Sequence, residues 1–197
     1  MCQFIESICW EYGKFYLVDL HQERVDSSFQ RFNRSSAIDL REILRSVDIK
    51  TPQKHKIRVI YDLEGNYEIE YLPYQSPILT SFEIVEAPEI DYSLKYKDRS
   101  SLNQLKENSN ASEVIITQKG HITDTTFSNL IFLKNGEWFA PKSYLLNGIQ
   151  RQNLLQKKQI KEVEITLDNL SEYSYFKIIN AMNCFEMSPM FSIDLIK

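Results

Sequence analysis

The chain has 197 residues, 43% of them hydrophobic and 25% charged, enough for one compact domain or two small ones with a real core. A net charge of −4 and a pI near 5.5 give no electrostatic basis for nucleic acid as a partner. Only 5 Gly and 6 Pro argue against long low-complexity tracts, and no apolar run reaches the length of a membrane span.

In chain order, Phe4 to Trp10 and Lys14 to Val18 read as two strands turned at Tyr12-Gly13. Glu6 and Glu11 fall where a signal peptide needs an apolar run, so a cytoplasmic location is expected. His21 to Phe32 carries Val25, Phe29 and Phe32 at helical spacing, and Ser36 is placed to cap a second helix through Leu44. Residues 56–74 form a hairpin pattern, with Val59 and Tyr61 alternating before Glu64-Gly65-Asn66 and Tyr67, Ile69 and Tyr71 after it. Ala87 to Asp91 reads as a linker, giving domains over 1–87 and 88–197. The second half offers a helix over 99–106, strands over 113–117, 129–133, 136–139, 163–165 and 176–179, and helices over 149–158 and 167–173. Lys119-Gly120 and Asn135-Gly136 supply its turns. The sum is an α+β protein of two mostly antiparallel halves, with flanking helices and a site expected in the cleft between them.

Few residues announce chemistry on their own. Cys2, Cys9 and Cys184 are odd in number and lack the spacing of a metal site, so reduced thiols and no metal are expected. Lys95 follows the linker and reads as a solvated surface cation. Asp124 opens a strand, where an isolated acid is a turn or cap residue. Asn147-Gly148-Ile149-Gln150 leads a glycine into a helix, and the free N–H groups of such a terminus suit phosphate. His21 and Arg24 share a helical turn and face either an anion or solvent.

Order and company give these residues more weight. Ile5-Glu6-Ser7-Ile8, Leu20-His21-Gln22-Glu23-Arg24, Lys95 to Arg99, Gly120 to Leu130, Asn147 to Gln152 and Asn180-Ala181-Met182 follow one another along the chain. Together they resemble the motifs of the class-IV aminotransferase family, the fold-type IV enzymes of pyridoxal 5′-phosphate (PLP). That group includes 4-amino-4-deoxychorismate lyase, D-amino-acid aminotransferase and branched-chain aminotransferase, and the fifth and sixth segments look most like the lyase. The first of these motifs stands almost at Met1, which implies a short form without the N-terminal segment usual in the family.

The resemblance implies roles. Lys95 would carry PLP, with Lys97 the rival, and would shuttle protons during turnover. Arg24 would meet the phosphate, along with the N–H groups of Gly148, Ile149 and Gln150 and the Asn180-Ala181 segment. Asp124 would face the pyridine nitrogen, although the family more often has glutamate there, longer by about 1.5 Å. Arg58, Tyr61, Tyr96 and Asn147 are candidates for a substrate carboxylate. The reaction implied is release of pyruvate from aminodeoxychorismate to give 4-aminobenzoate, for folate synthesis. The alternatives are transamination of branched-chain or D-amino acids, or a catalytically silent binding protein of the same fold. A homodimer and a small amino-acid-like substrate are the partners expected.

Overall fold

The computed structural model describes residues 2–197. The chain divides into two compact units. The first runs as far as Ser76 and adds Leu94–Asp98; the second holds Pro77–Ser93 and Arg99–Lys197. The division falls before residue 87 because β5 (Phe82–Glu86) pairs in parallel with β6 (Glu113–Gln118), Phe82 opposite Glu113 and Glu86 opposite Thr117. The fold class is α+β, as the sequence implies.

In the first unit, β1 (Gln3–Glu11), β2 (Lys14–Phe15), β3 (His55–Asp62) and β4 (Tyr67–Pro73) form an antiparallel sheet in the order β2-β1-β3-β4. Tyr12 (φ 50) and Gly13 (φ 78) make the first turn; positive φ at both positions matches the twist of a two-residue hairpin. The strand expected to reach Val18 stops at Phe15. Leu17 then turns left-handed (φ 57) and launches α1 (Val18–Arg31) ahead of His21. The second helix, α2 (Leu40–Leu44), is capped by Asp39 rather than Ser36. Asp39 Oδ1 accepts from Arg41 N at 2.9 Å and Glu42 N at 3.1 Å, a geometry that an extended backbone at the cap permits. Asp62 closes the β3–β4 turn by accepting from the N–H groups of Glu64 and Asn66. The core of this unit gathers Phe4 and Ile8 from β1, Val25 and Phe29 from α1, Leu40 from α2, and Ile57, Val59 and Tyr61 from β3. Each large side chain buried there contributes about 1.5–3 kcal/mol.

In the second unit, β7 (His121–Thr125), β8 (Asn129–Lys134), β9 (Glu137–Pro141) and β10 (Lys161–Val163) extend the sheet as β10-β9-β8-β7-β6-β5. β11 (Tyr175–Ile179) pairs with β8, and β12 (Met190–Ser192) pairs with β11. Antiparallel pairing predominates; β5–β6 and β10–β9 are parallel. Lys119-Gly120 and Asn135-Gly136 repeat the double positive-φ turn of the first unit. The helix expected over 99–106 is α3 (Ser100–Glu107), and the one expected over 167–173 is a single 3-10 turn, Leu170–Glu172. Because side chains alternate along a strand, Leu130 and Phe132 of β8 join one core with Phe82 and Phe176. Ile131 between them joins another with Leu154 of α4 (Ile149–Gln156). That second core seats α4 on the sheet. Among the described residues no helix is long and apolar enough to cross a membrane.

Candidate active site

The first unit builds its constellation around one buried acid. Strand alternation puts Glu6 on the same face as Phe4 and Ile8, inside the core, where an unpaired carboxylate would be costly. Helix α1 answers it with residues one turn apart. His21 Nδ1 lies 2.5 Å from Glu6 Oε2; Arg24 donates Nε to Oε1 at 2.8 Å and Nη2 to Oε2 at 2.5 Å. Burial pushes the Glu6 pKa up, but the Arg24 charge and the hydrogen bonds from His21 and Arg24 prevail and hold it at about 2. His21 is fully buried, and that burial depresses its pKa against the pull of Glu6, with the charges of Arg24 and Lys95 adding to the depression. His21 is therefore neutral near pH 7. An ionised Glu6 only accepts, so Nδ1 carries the ring proton and the buried Nε2 is a bare acceptor without a hydrogen-bond partner among the described residues.

Lys95 is held against the start of β1. Its carbonyl accepts from Ile5 N at 2.9 Å, Tyr96 bridges Phe4, and Lys97 N donates to Gln3 O at 2.9 Å. β3 occupies one edge of β1; this short segment and β2 share the other. Lys95 is half-buried, whereas Lys97 is exposed with its Nζ on Gln3 Oε1 at 3.0 Å. The neighbourhood distinguishes the two lysines: the one whose charge reaches the Glu6–His21–Arg24 cluster is Lys95.

The second unit gathers Asp124, Gly148 and Asn180 at the β7–β8 turn. Asp124, at the end of β7 rather than its beginning, accepts from Leu145 N (3.0 Å) and Leu146 N (2.9 Å) on Oδ2, and from Asn129 Nδ2 (2.7 Å) on Oδ1. Burial dominates its electrostatics and raises its pKa to about 6; the three hydrogen bonds and Arg151 pull the other way without prevailing. Asn129 Nδ2 also donates to Leu146 O at 2.8 Å. Gly148 opens α4 with no side-chain cap, so the first N–H groups of that helix, from Ile149 and Gln150, are left to another acceptor. A Cβ there would stand 2.0 Å from Asn129 Oδ1, so any other residue would displace that side chain. Asn180 donates Nδ2 to Ser128 Oγ at 2.8 Å and accepts from Met182 N and Asn183 N, which ties the Ala181 turn to the same place. An uncapped helix start, a glycine cradle and a clamped turn make a donor set that fits a phosphate dianion.

The proposed substrate residues fare differently. Tyr61 is a core residue: 1% exposed, stacked on Phe29 and tilted against Phe4, it has no surface to offer a substrate. Arg58 is a hairpin residue, its Nη1 on Glu70 Oε2 at 2.7 Å directly across β3–β4. Tyr96 stacks on Phe4 with ring centroids 5.6 Å apart. Asn147 shapes the helix entry, Oδ1 accepting from Arg151 Nη1 at 3.0 Å and its carbonyl from Gln152 Nε2 at 2.9 Å. Sequence reasoning gave no role to Glu6 or Asn129. The signal for Glu6 was available: an acid on the apolar face of Phe4 and Ile8.

Known proteins share this architecture. The profile of the family Amino-transferase class IV matches residues 3–189. An uncharacterized protein of Haemophilus influenzae is 35% identical over 187 residues, spanning 93% of this chain and 99% of its own. The crystal structure of a candidate 4-amino-4-deoxychorismate lyase from Haemophilus somnus is 32% identical with a TM-score of 0.87, over 94% of this chain and 98% of that one. A hypothetical aminotransferase from Mycobacterium tuberculosis, in its PLP-bound form, shares the fold with a TM-score of 0.78 at 14% identity, over 99% of this chain and 81% of that one.

Proposed function

Since this chain belongs to the amino-transferase class IV family of PLP-dependent enzymes, we propose that it binds PLP through Lys95 and acts as a 4-amino-4-deoxychorismate lyase. The observation that carries the lyase reading is the 32% identity and near-complete mutual coverage with the Haemophilus somnus protein of that name. PLP, when bound, supplies an electron-accepting ring and an aldehyde that takes up amines. The chain's own residues supply the rest. Lys95 Nζ is the amine that holds the cofactor and then moves a proton at the substrate's reacting carbon. For the phosphate, the first unit supplies Arg24, its guanidinium set by Glu6, and the second supplies the uncapped N–H groups of Ile149 and Gln150 and the Asn180-Ala181 turn. Asp124 Oδ1 has accepted one hydrogen bond and retains an acceptor position for a protonated ring nitrogen. A homodimer in the cytoplasm taking a small amino-acid-like substrate completes this reading.

The second reading, transamination of branched-chain or D-amino acids, is favoured by the shared fold with the aminotransferase from Mycobacterium tuberculosis. One experiment addresses both. The purified chain and its Lys95→Ala variant are incubated with PLP, the visible absorbance is recorded, and borohydride is added before peptide mapping. The expected result is an absorbance band and PLP mass fixed on the Lys95 peptide, both lost in the variant. Supplying aminodeoxychorismate should then yield pyruvate and 4-aminobenzoate; turnover of amino-acid and oxo-acid pairs instead would select the transaminase. Mass fixed on Lys97 would refute the lysine assignment, and no PLP uptake would leave a silent binding protein of this fold.

A further inference from the structure

We propose that Asp124 and Asn129 form a latch that fixes the entry to α4, so that recognition of the cofactor phosphate depends on two residues that need not touch it. This rests on the reading of the α4 N-terminus as the phosphate site. Both side chains bind one stretch of backbone ahead of the helix. Consecutive amides, Leu145 N and Leu146 N, converge on Asp124 Oδ2 at 3.0 and 2.9 Å. Asn129 Nδ2 divides its two hydrogens between Asp124 Oδ1 at 2.7 Å and Leu146 O at 2.8 Å. Residue 146 is thus held at both its N–H and its carbonyl, two residues before Gly148.

Asn129 Oδ1 then fills the space a Cβ at residue 148 would need, 2.0 Å from its ideal position. The carboxamide therefore sets both the path of the loop and the seat of the helix cap. Asp124 and Asn129 are 5% and 6% exposed, so water cannot readily replace a lost partner. Arg151 holds the other side of the same loop, donating to Pro141 O at 3.1 Å and Asn147 Oδ1 at 3.0 Å. The aspartate itself becomes intelligible. A carboxylate about 1.5 Å farther out, as in glutamate, would overrun the two amides that the shorter side chain receives.

The test compares affinities for PLP and for pyridoxal, which has the same ring and aldehyde but no phosphate. In the unaltered chain PLP should bind more tightly. Asn129→Ala should cut that preference about tenfold or more, with pyridoxal affinity little changed. Gly148→Ala should do the same by displacing Asn129, and the double variant should be no worse than either single one, because both break one contact. Amide exchange at Leu145 and Leu146 should quicken in Asn129→Ala while the remaining amides hold, which separates a local release from misfolding. Equal loss of PLP and pyridoxal affinity, additive effects, or unchanged exchange at Leu145 and Leu146 would overturn the latch and leave the cofactor reading intact. No PLP binding by the unaltered chain would overturn the cofactor reading and the latch's phosphate role together.

Discussion

Arg24 meets Glu6 edge-on, with Nε 2.8 Å from one carboxylate oxygen and Nη2 2.5 Å from the other, and the acid is completely buried. A fork bonded this way has one orientation, so Glu6 decides where the remaining N–H groups of Arg24 point. Replacing Glu6 by Gln turns one acceptor into a donor facing donors and leaves the guanidinium, 11% exposed, without its counter-charge. Glu6→Gln should lose about 3 kcal/mol in urea unfolding. A midpoint equal to that of the unaltered chain would show that the pair does not anchor α1.

The two buried acids should leave opposite marks on stability as pH changes. The Glu6 pKa is depressed from 4.5 to about 2, so its contribution is present above pH 4.5 and is lost as pH falls through 2. Asp124 is raised from 3.8 to about 6, so its contribution is full below pH 3.8 and is lost as pH rises through 6. Relative to Glu6→Gln, the unaltered chain should lose advantage on acidification. Relative to Asp124→Asn, it should lose advantage on moving from acid toward neutrality. Urea midpoints across that range measure both, and slopes of the same sign would contradict the assignment.

Tyr61 carries a buried hydroxyl with no hydrogen-bond partner among the described residues, while the nearby Ser28 Oγ donates to Arg24 O at 2.9 Å. Burial, with the charge of Glu6, pushes the phenol pKa up, so the group stays neutral. Tyr61→Phe should change stability by no more than about 0.5 kcal/mol and leave KM where it was, since only an unsatisfied group is removed. A raised KM would restore Tyr61 as a substrate residue.

Arg58 and Glu70 form a partly exposed cross-strand pair, so Arg58→Ala should cost at most about 1 kcal/mol. If the pairing is its whole role, kcat and KM remain unchanged. A selective rise in KM would instead mean that Arg58 leaves Glu70 to hold the substrate carboxylate.

Local patterns made much of this fold legible. Tyr12-Gly13, Lys119-Gly120 and Asn135-Gly136 announce two-residue turns, and Val25 with Phe29 announces the buried face of α1, because both signals lie within a few residues. β5 was hidden for the converse reason. Phe82–Glu86 is short, and its partner, β6, is parallel and far along the chain, so no neighbouring turn points to it. The same limit applied to the candidate site. Gly148 ahead of α4 is a local signal, but its need for glycine comes from Asn129, and the orientation of Arg24 comes from Glu6 on another element. The Ser36 cap failed because Asp39, nearer the helix, was the stronger competitor for its first N–H groups.

The segment Leu94–Asp98 belongs with the first unit although its flanking residues, on both sides, belong with the second. During synthesis, β1, β2, β3, β4 and α1 can therefore assemble from contiguous chain. The edge of β1 at Gln3–Ile5 must wait until the lysine segment leaves the ribosome. Closing so long a loop for so few hydrogen bonds makes this a late event, one that follows the hairpins rather than nucleating them. The nascent first unit thus passes through an interval with Phe4 lacking its Tyr96 cover, and Lys95 arrives only after the strand that will hold it is already in place.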